Sequence, residues 1–131
     1  MKRLIINADD FGYSEGVVRG IIDCHHAGMI SSTSCMTNMP AWPQAAAYLR
    51  DHPELGAGVH LVFNDGRPLL PPARVPALVD ATGHFLDDAR ILRNLRPGTT
   101  SQLRAELRAQ IERFIADVGR PPTHLDNHCK V

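Results

Sequence analysis

Arg3-Leu4-Ile5-Ile6-Asn7-Ala8-Asp9-Asp10-Phe11-Gly12 is a short aliphatic run that closes on two acids, an aromatic and a glycine. A run this short, bounded by polar residues, reads as a buried strand over Arg3–Ala8, with Asp9 to Gly12 turning at its C-terminal end. The residues beyond it decide the fold class. Ser14 caps a helical run from Glu15 to His26, with Val17, Ile21, Ile22 and Cys24 on one side and Gly28 as its stop. Ser31–Asn38, small and β-branched, reads as a second strand. Pro40–His52 is a short Ala-rich helix, and Leu55–Phe63, carrying Gly56, Gly58 and His60, a third strand. The clearest helix spans Thr100–Val118, where Leu103, Leu107, Ile111, Phe114, Ile115 and Val118 recur at helical spacing. Gly119 and Pro121-Pro122 end it, and Thr123-His124-Leu125-Asp126 begins a fourth strand.

Strands alternating with helices predict a parallel sheet with helices outside, an α/β layout in a single domain over residues 1–131. A Pro-rich excursion at about 64–98 stands apart, holding Pro68, Pro71, Pro72, Pro76 and Pro97. It is expected to form short helical turns rather than long regular elements, and loops of this length often serve as lids or substrate loops. A barrel-like α/β fold needs more strand–helix units than these. The chain reaches Val131 as its fourth strand delivers polar residues, so it reads as the N-terminal portion of a barrel, a fragment or truncated frame. The free sheet edge of such a portion favours association, including a homo-oligomer.

Composition narrows the function classes. Lys and Arg balance Asp and Glu at 14 each, with a pI near 7.1, so there is no electrostatic case for nucleic acid or an anionic membrane. The Arg-rich stretch from Arg90 to Arg120 is offset by Asp87, Asp88, Glu106, Glu112 and Asp117 and reads as a solvated helix face. Cys24, Cys35 and Cys129 form no CxxC pair, and their odd number argues against a disulfide framework. With no apolar run long enough for a membrane span and no signal-peptide pattern at the N-terminus, a cytoplasmic protein is expected. No Gly-x-Ser-x-Gly elbow, Gly-x-Gly-x-x-Gly turn or P-loop occurs.

In parallel α/β folds, chemistry gathers at the C-terminal ends of the strands. The first strand ends in Asp9 and Asp10, the third carries His60, and the last carries His124, Asp126 and His128. The alternating positions of His124-x-Asp126-x-His128 share one strand face. Carboxylates and imidazoles from separate strands would therefore converge on one rim. An Asp with two His suits Zn²⁺ and related divalent ions and leaves positions open for water and substrate, while a further carboxylate could take the proton of that water. Taken singly, each feature has a plainer reading: Asp-Asp as a turn or helix cap, a strand His as a satisfied core group. His25, His26 and His52 sit at helix ends, where a cation suits the dipole. His84 lies in the excursion as a surface group, Cys24 and Cys35 pack, and Cys129 is a soft donor beside a hard set. Trp42 either stacks on a sugar ring or packs in the core.

Asn7-Ala8-Asp9-Asp10-Phe11-Gly12, Gly58-Val59-His60-Leu61 and Thr123-His124-Leu125-Asp126-Asn127-His128 together resemble the YdjC-like carbohydrate deacetylases, a family that includes the chitooligosaccharide deacetylases. The resemblance implies a distorted (β/α) barrel of the polysaccharide deacetylase type with one divalent metal, Zn²⁺ or Mg²⁺ first and Co²⁺ or Ni²⁺ next. It implies Asp10, His60 and His128 as metal ligands and Asp9 as the base that activates water. His124 and Asp126 would stand behind the ligands or on the substrate side. The implied reaction is hydrolysis of an N-acetyl group on an amino sugar. Gly66–Pro72, Val75–Asp80 and Gly83-His84-Phe85 resemble the hopanoid-biosynthesis branch, which implies a lipid-linked N-acetylglucosamine as acceptor. Lys130 departs from the family pattern, standing where a further His is usual. Two other functions fit the same residues: a truncated, non-catalytic chain that binds metal or sugar, and a metal phosphoesterase.

Overall fold

The computed structural model describes residues 4–130, and of Asp88 and Lys130 the backbone alone. Arg3, where the expected first strand begins, and Val131 lie outside the described residues. The elements are β1 (Asn7–Phe11), α1 (Glu15–His26), β2 (Ser32–Cys35), α2 (Trp42–Asp51), β3 (Gly56–Leu61), α3 (Asp88–Arg93), α4 (Pro97–Val118) and β4 (Leu125–Asn127), with 3-10 turns at Pro72–Arg74 and His128–Lys130. The strands form one parallel sheet in the order β1-β2-β3-β4. Sequential order with every crossover of one hand places the helices on the same face. Accordingly Val18 and Ile21 of α1, Ala45 and Leu49 of α2, and Phe114 and Val118 of α4 share one core with Cys35, Ala57 and Val59 of the sheet. No helix among the described residues is long and apolar enough to cross a membrane.

Local chemistry explains the joints. Ser14 accepts a hydrogen bond from Val17 N at 3.3 Å and starts α1 where expected. Gly12 has φ +106, and a Cβ there would lie 3.0 Å from Met36 O, so the β1–α1 turn requires glycine. Pro97 occupies the first turn of α4, which extends the helix by three residues beyond the expected Thr100 start. Gly119 closes it in the left-handed conformation.

Two expectations about the core need correction. Leu4, Ile5 and Ile6 do not form a buried strand: they are 81%, 75% and 48% exposed, and β1 opens at Asn7. Pairing with β2 begins at Ile6 O, which accepts from Ser31 N and Ser32 N, and the helix layer covers the sheet from Ala8 onward. The buried face of α4 is also rotated from its apolar stripe. Glu106 and Gln110 are fully buried, whereas Ile115 is 42% exposed. Glu106 accepts from Leu69 N and Leu70 N at 2.9 Å each, and Gln110 bonds both Val62 N and Val62 O. The helix thus uses polar side chains to satisfy an irregular backbone that has no ladder of its own. Glu106 belongs to this buried network, not to a solvated face. Of its two expected places Trp42 takes the one in the core: it packs on Phe114, ring centroids 5.8 Å apart, and its indole N–H donates to Asp117 Oδ2 at 2.7 Å. Burial alone would push Asp117 up, but hydrogen bonds from Arg113 and Trp42 outweigh it and hold the carboxyl below its usual range.

The Pro-rich excursion carries a small core of its own. Phe63, Val75, Leu78, Phe85 and Ile91 cluster together, and Val79 and Phe85 make an antiparallel bridge. Asp80 Oδ1 accepts from Thr82 and from His84 N and shapes the tight turn between them. His84 is exposed on that turn.

Candidate metal centre

The carboxyl edge of the sheet is built on an irregularity in β1. The register runs from Ala8↔Thr33 to Phe11↔Cys35, so β1 spends one residue more than β2 over that interval. Asp10 takes φ +68, a conformation uncommon for a residue with a side chain. On a regular strand Asp9 and Asp10 would point to opposite faces. The bulge instead brings both to one cleft of ≈ 430 Å³, shared with His60, Asp126, Asn127, His128 and Cys129.

Three donor atoms meet there. Asp10 Oδ1 lies 3.4 Å from His60 Nε2 and 3.4 Å from His128 Nδ1, and the two imidazole nitrogens are 3.3 Å apart. Asp10 Oδ1 is buried and has no hydrogen-bond partner among the described residues. A buried carboxylate oxygen without a donor is costly unless a cation meets it. A tetrahedral ion at ~2.0–2.1 Å from each ligand sets neighbouring donors about 3.3 Å apart, so this near-equilateral triangle matches one face of such a site. The residues therefore fit a divalent ion with an open side toward the cleft.

Behind the triangle the polar face of the sheet forms a continuous network. His60, 5% exposed, has Nδ1 2.8 Å from Asp126 Oδ1, its direct register partner across β3 and β4. A proton on Nδ1 leaves the Nε2 lone pair facing Asp10. Ser34 Oγ donates to Asp126 Oδ2 at 2.6 Å and accepts from Asn7 Nδ2 at 2.9 Å. Asn7 Nδ2 also holds Asp9 Oδ1 at 2.7 Å. His124 Nε2 lies 3.1 Å from Ser34 Oγ, and His124 Nδ1 2.9 Å from Thr123 Oγ1. Since Ser34 spends its one proton on Asp126, the His124 tautomer that satisfies all partners carries its proton on Nε2. The His124 ring stands directly over Gly58, where a Cβ would come within 2.4 Å of it.

Asp9, Asp10, His60, Asp126 and His128 are thus brought together at one rim, and His124 is set back from it. The expected strand alternation holds for His124 and Asp126, which both meet Ser34 on one face, but not for His128. Strand β4 ends at Asn127, and His128 begins a tight turn in which Cys129 has φ +61. That turn, not the pleat, swings His128 to Asp10. Cys129 is exposed in the same turn and lies outside the donor triangle. Cys35 is buried on the helix side, where burial and then the Asp126 carboxylate push its thiol well up, leaving it inert. Sequence reasoning missed Ser34 and Asn7. A serine in a small-residue strand carries no ligand pattern, and its part emerges only from the register of β1, β2 and β4.

A parallel sheet in sequential order, helices on one face and acids and imidazoles at its carboxyl edge, is part of an α/β barrel of the carbohydrate deacetylase type. The chain belongs to the YdjC-like protein family, whose profile matches residues 3–131. It is 47% identical over 124 residues to a carbohydrate deacetylase of Geobacillus stearothermophilus, covering 95% of this chain and 48% of the relative. It is 40% identical over 129 residues to a chitooligosaccharide deacetylase of Serratia marcescens, covering 97% of this chain and 49% of the relative. A crystal structure from Enterococcus faecalis V583, provisionally described as a cellobiose-phosphate cleavage protein, superposes with a TM-score of 0.85 at 37% identity, covering 97% of this chain and 48% of that one. The chain spans about half the length of the curated relatives it matches.

Proposed function

We propose that this chain carries the metal- and water-handling part of a carbohydrate N-deacetylase, with Asp10, His60 and His128 as metal ligands and Asp9 as the base. The observation that carries the proposal is the triangle of donors around the orphaned Asp10 oxygen, with a second carboxylate held beside it. A divalent ion bound there would supply Lewis acidity to the acetamide carbonyl and acidity to a water. The chain's own residues do the rest. Asp126 fixes the His60 ring with Nε2 toward Asp10, where it would serve as a ligand. Asn7 anchors Asp9 by one oxygen, so the carboxylate sits at the cleft as a proton acceptor. Water adds to the amide carbon as Asp9 takes its proton. The C–N bond then breaks as nitrogen takes up a proton, which balances the one Asp9 accepted from water, giving acetate and a free amino sugar.

The acceptor that the relatives' names favour is an N-acetylglucosamine oligomer; the resemblance of the excursion to the hopanoid branch favours a lipid-linked N-acetylglucosamine. The excursion does not line the donor cleft among the described residues, so the acetamide chemistry is argued from the cleft alone. Acetate release from N-acetylglucosamine oligomers, with and without EDTA, tests the proposal in this chain and its Asp9→Asn variant. Chelator-sensitive release that the variant loses is the expected result. Metal binding without any release, on either oligomer or lipid-linked sugar, would instead make the chain a binding remnant, and phosphate release from a sugar phosphate would make it a phosphoesterase.

A further inference from the structure

The opposite edge of the sheet holds a second cluster of donors that the deacetylase chemistry leaves unused. Helix α1 ends on His25 and His26, and His52 caps the end of α2, so both helix C-termini deliver imidazoles to the place where the chain enters β2 and β3. Glu54 follows two residues after His52. Its Oε1 lies 2.9 Å from His52 Nδ1 and 3.8 Å from His25 Nε2, and one donor atom from each of the three residues falls within 4.8 Å of the others. From these contacts we propose a second site, for a divalent transition ion of the Zn²⁺, Ni²⁺ or Cu²⁺ kind, ligated by His25, His52 and Glu54.

Several independent features favour a bound cation here. The His25 ring is held from behind, its Nδ1 2.6 Å from the Tyr48 hydroxyl, which leaves Nε2 directed at Glu54. Metal-ligating histidines are commonly oriented in this way through the other ring nitrogen. Tyr48 also stacks on His52 with centroids 4.1 Å apart and so fixes the second ring. Two helix C-termini add negative potential at the same spot. The exposed His26 ring lies 5.8 Å from His52 and 6.3 Å from His25, within reach to supply a fourth donor. Two imidazoles and one carboxylate favour Zn²⁺, Ni²⁺ or Cu²⁺ over Mg²⁺ or Ca²⁺, which prefer oxygen donors. Half-buried rings and a carboxylate 60% exposed leave the ion a path from solvent.

Equilibrium dialysis of the untagged chain against Zn²⁺ tests the site. Wild type should hold two equivalents, Asp10→Asn one, and His25→Gln/His52→Gln one. Glu54→Gln, a substitution at an exposed side chain, should weaken one of the two equivalents at least tenfold. A zinc count that is the same in wild type and in the His25→Gln/His52→Gln variant overturns the proposal, whatever Asp10→Asn does. Wild-type NMR decides the matter should the double variant fail to fold. Zinc should shift the ring C–H signals of His25 and His52 as a set distinct from those of His60 and His128; zinc saturation that leaves the first pair unmoved also overturns it.

Discussion

The two faces of the sheet are made by different physics. On the helix side Thr33, Cys35, Ala57 and Val59 are fully buried beneath apolar side chains from three helices. On the other side Asn7, Ser34, His124 and Asp126 are joined through hydrogen bonds, with Gly58 supplying room for the His124 ring. The first face supplies stability through burial, which tolerates any side chain of suitable shape. The second face holds atoms at fixed positions, which tolerates almost no change of type. The chain thus separates what makes it fold from what would make it work, and substitutions on the two faces should separate accordingly.

Phe114→Ala should have the largest effect on the helix side. It removes a fully buried ring from beneath Trp42 and should cost about 3–5 kcal/mol in denaturant unfolding, with metal affinity of the folded fraction unchanged. Glu106→Ala comes next. It leaves Leu69 N and Leu70 N without their acceptor and should cost roughly 2–4 kcal/mol, loosening the excursion before the sheet. Asp126→Asn should behave in the opposite way: about 10–100-fold weaker metal binding or turnover, with a small change in unfolding. Gly58→Ala is the smallest, a cost of about 1–3 kcal/mol as the His124 ring is displaced from Ser34. A metal affinity that tracks stability across all four would erase the distinction between the faces.

Much of the helix face was legible in the sequence because helix signals are local. Ser14 and the run to His26 define α1 to the residue, and Gly119 marks the end of α4. That the sheet would be parallel was equally plain from alternation. What failed depends on contacts far apart in the chain. Leu4 to Ile6 look like core by hydropathy, yet burial requires a covering layer, and the helices begin over Ala8. Glu106 and Gln110 look like solvent-facing polar residues, yet the irregular backbone at Leu69, Leu70 and Val62 needs their oxygens. At the site, the residue types and the strand ends were readable, while the bulge at Asp10 and the turn at His128 were not. Both are backbone departures that alternation cannot express, and both are what bring Asp10 and His128 into contact.

The central claim is that neighbouring acids have different tasks: Asp10 holds the ion and Asp9 moves the proton. Zinc affinity and acetate release, measured side by side on wild type, Asp9→Asn and Asp10→Asn, address it directly. Asp9→Asn should keep the zinc equivalent that wild type holds at this edge and lose chelator-sensitive acetate release, whereas Asp10→Asn should lose both. The equivalent at this edge retained in Asp10→Asn, or lost in Asp9→Asn, would contradict the assignment.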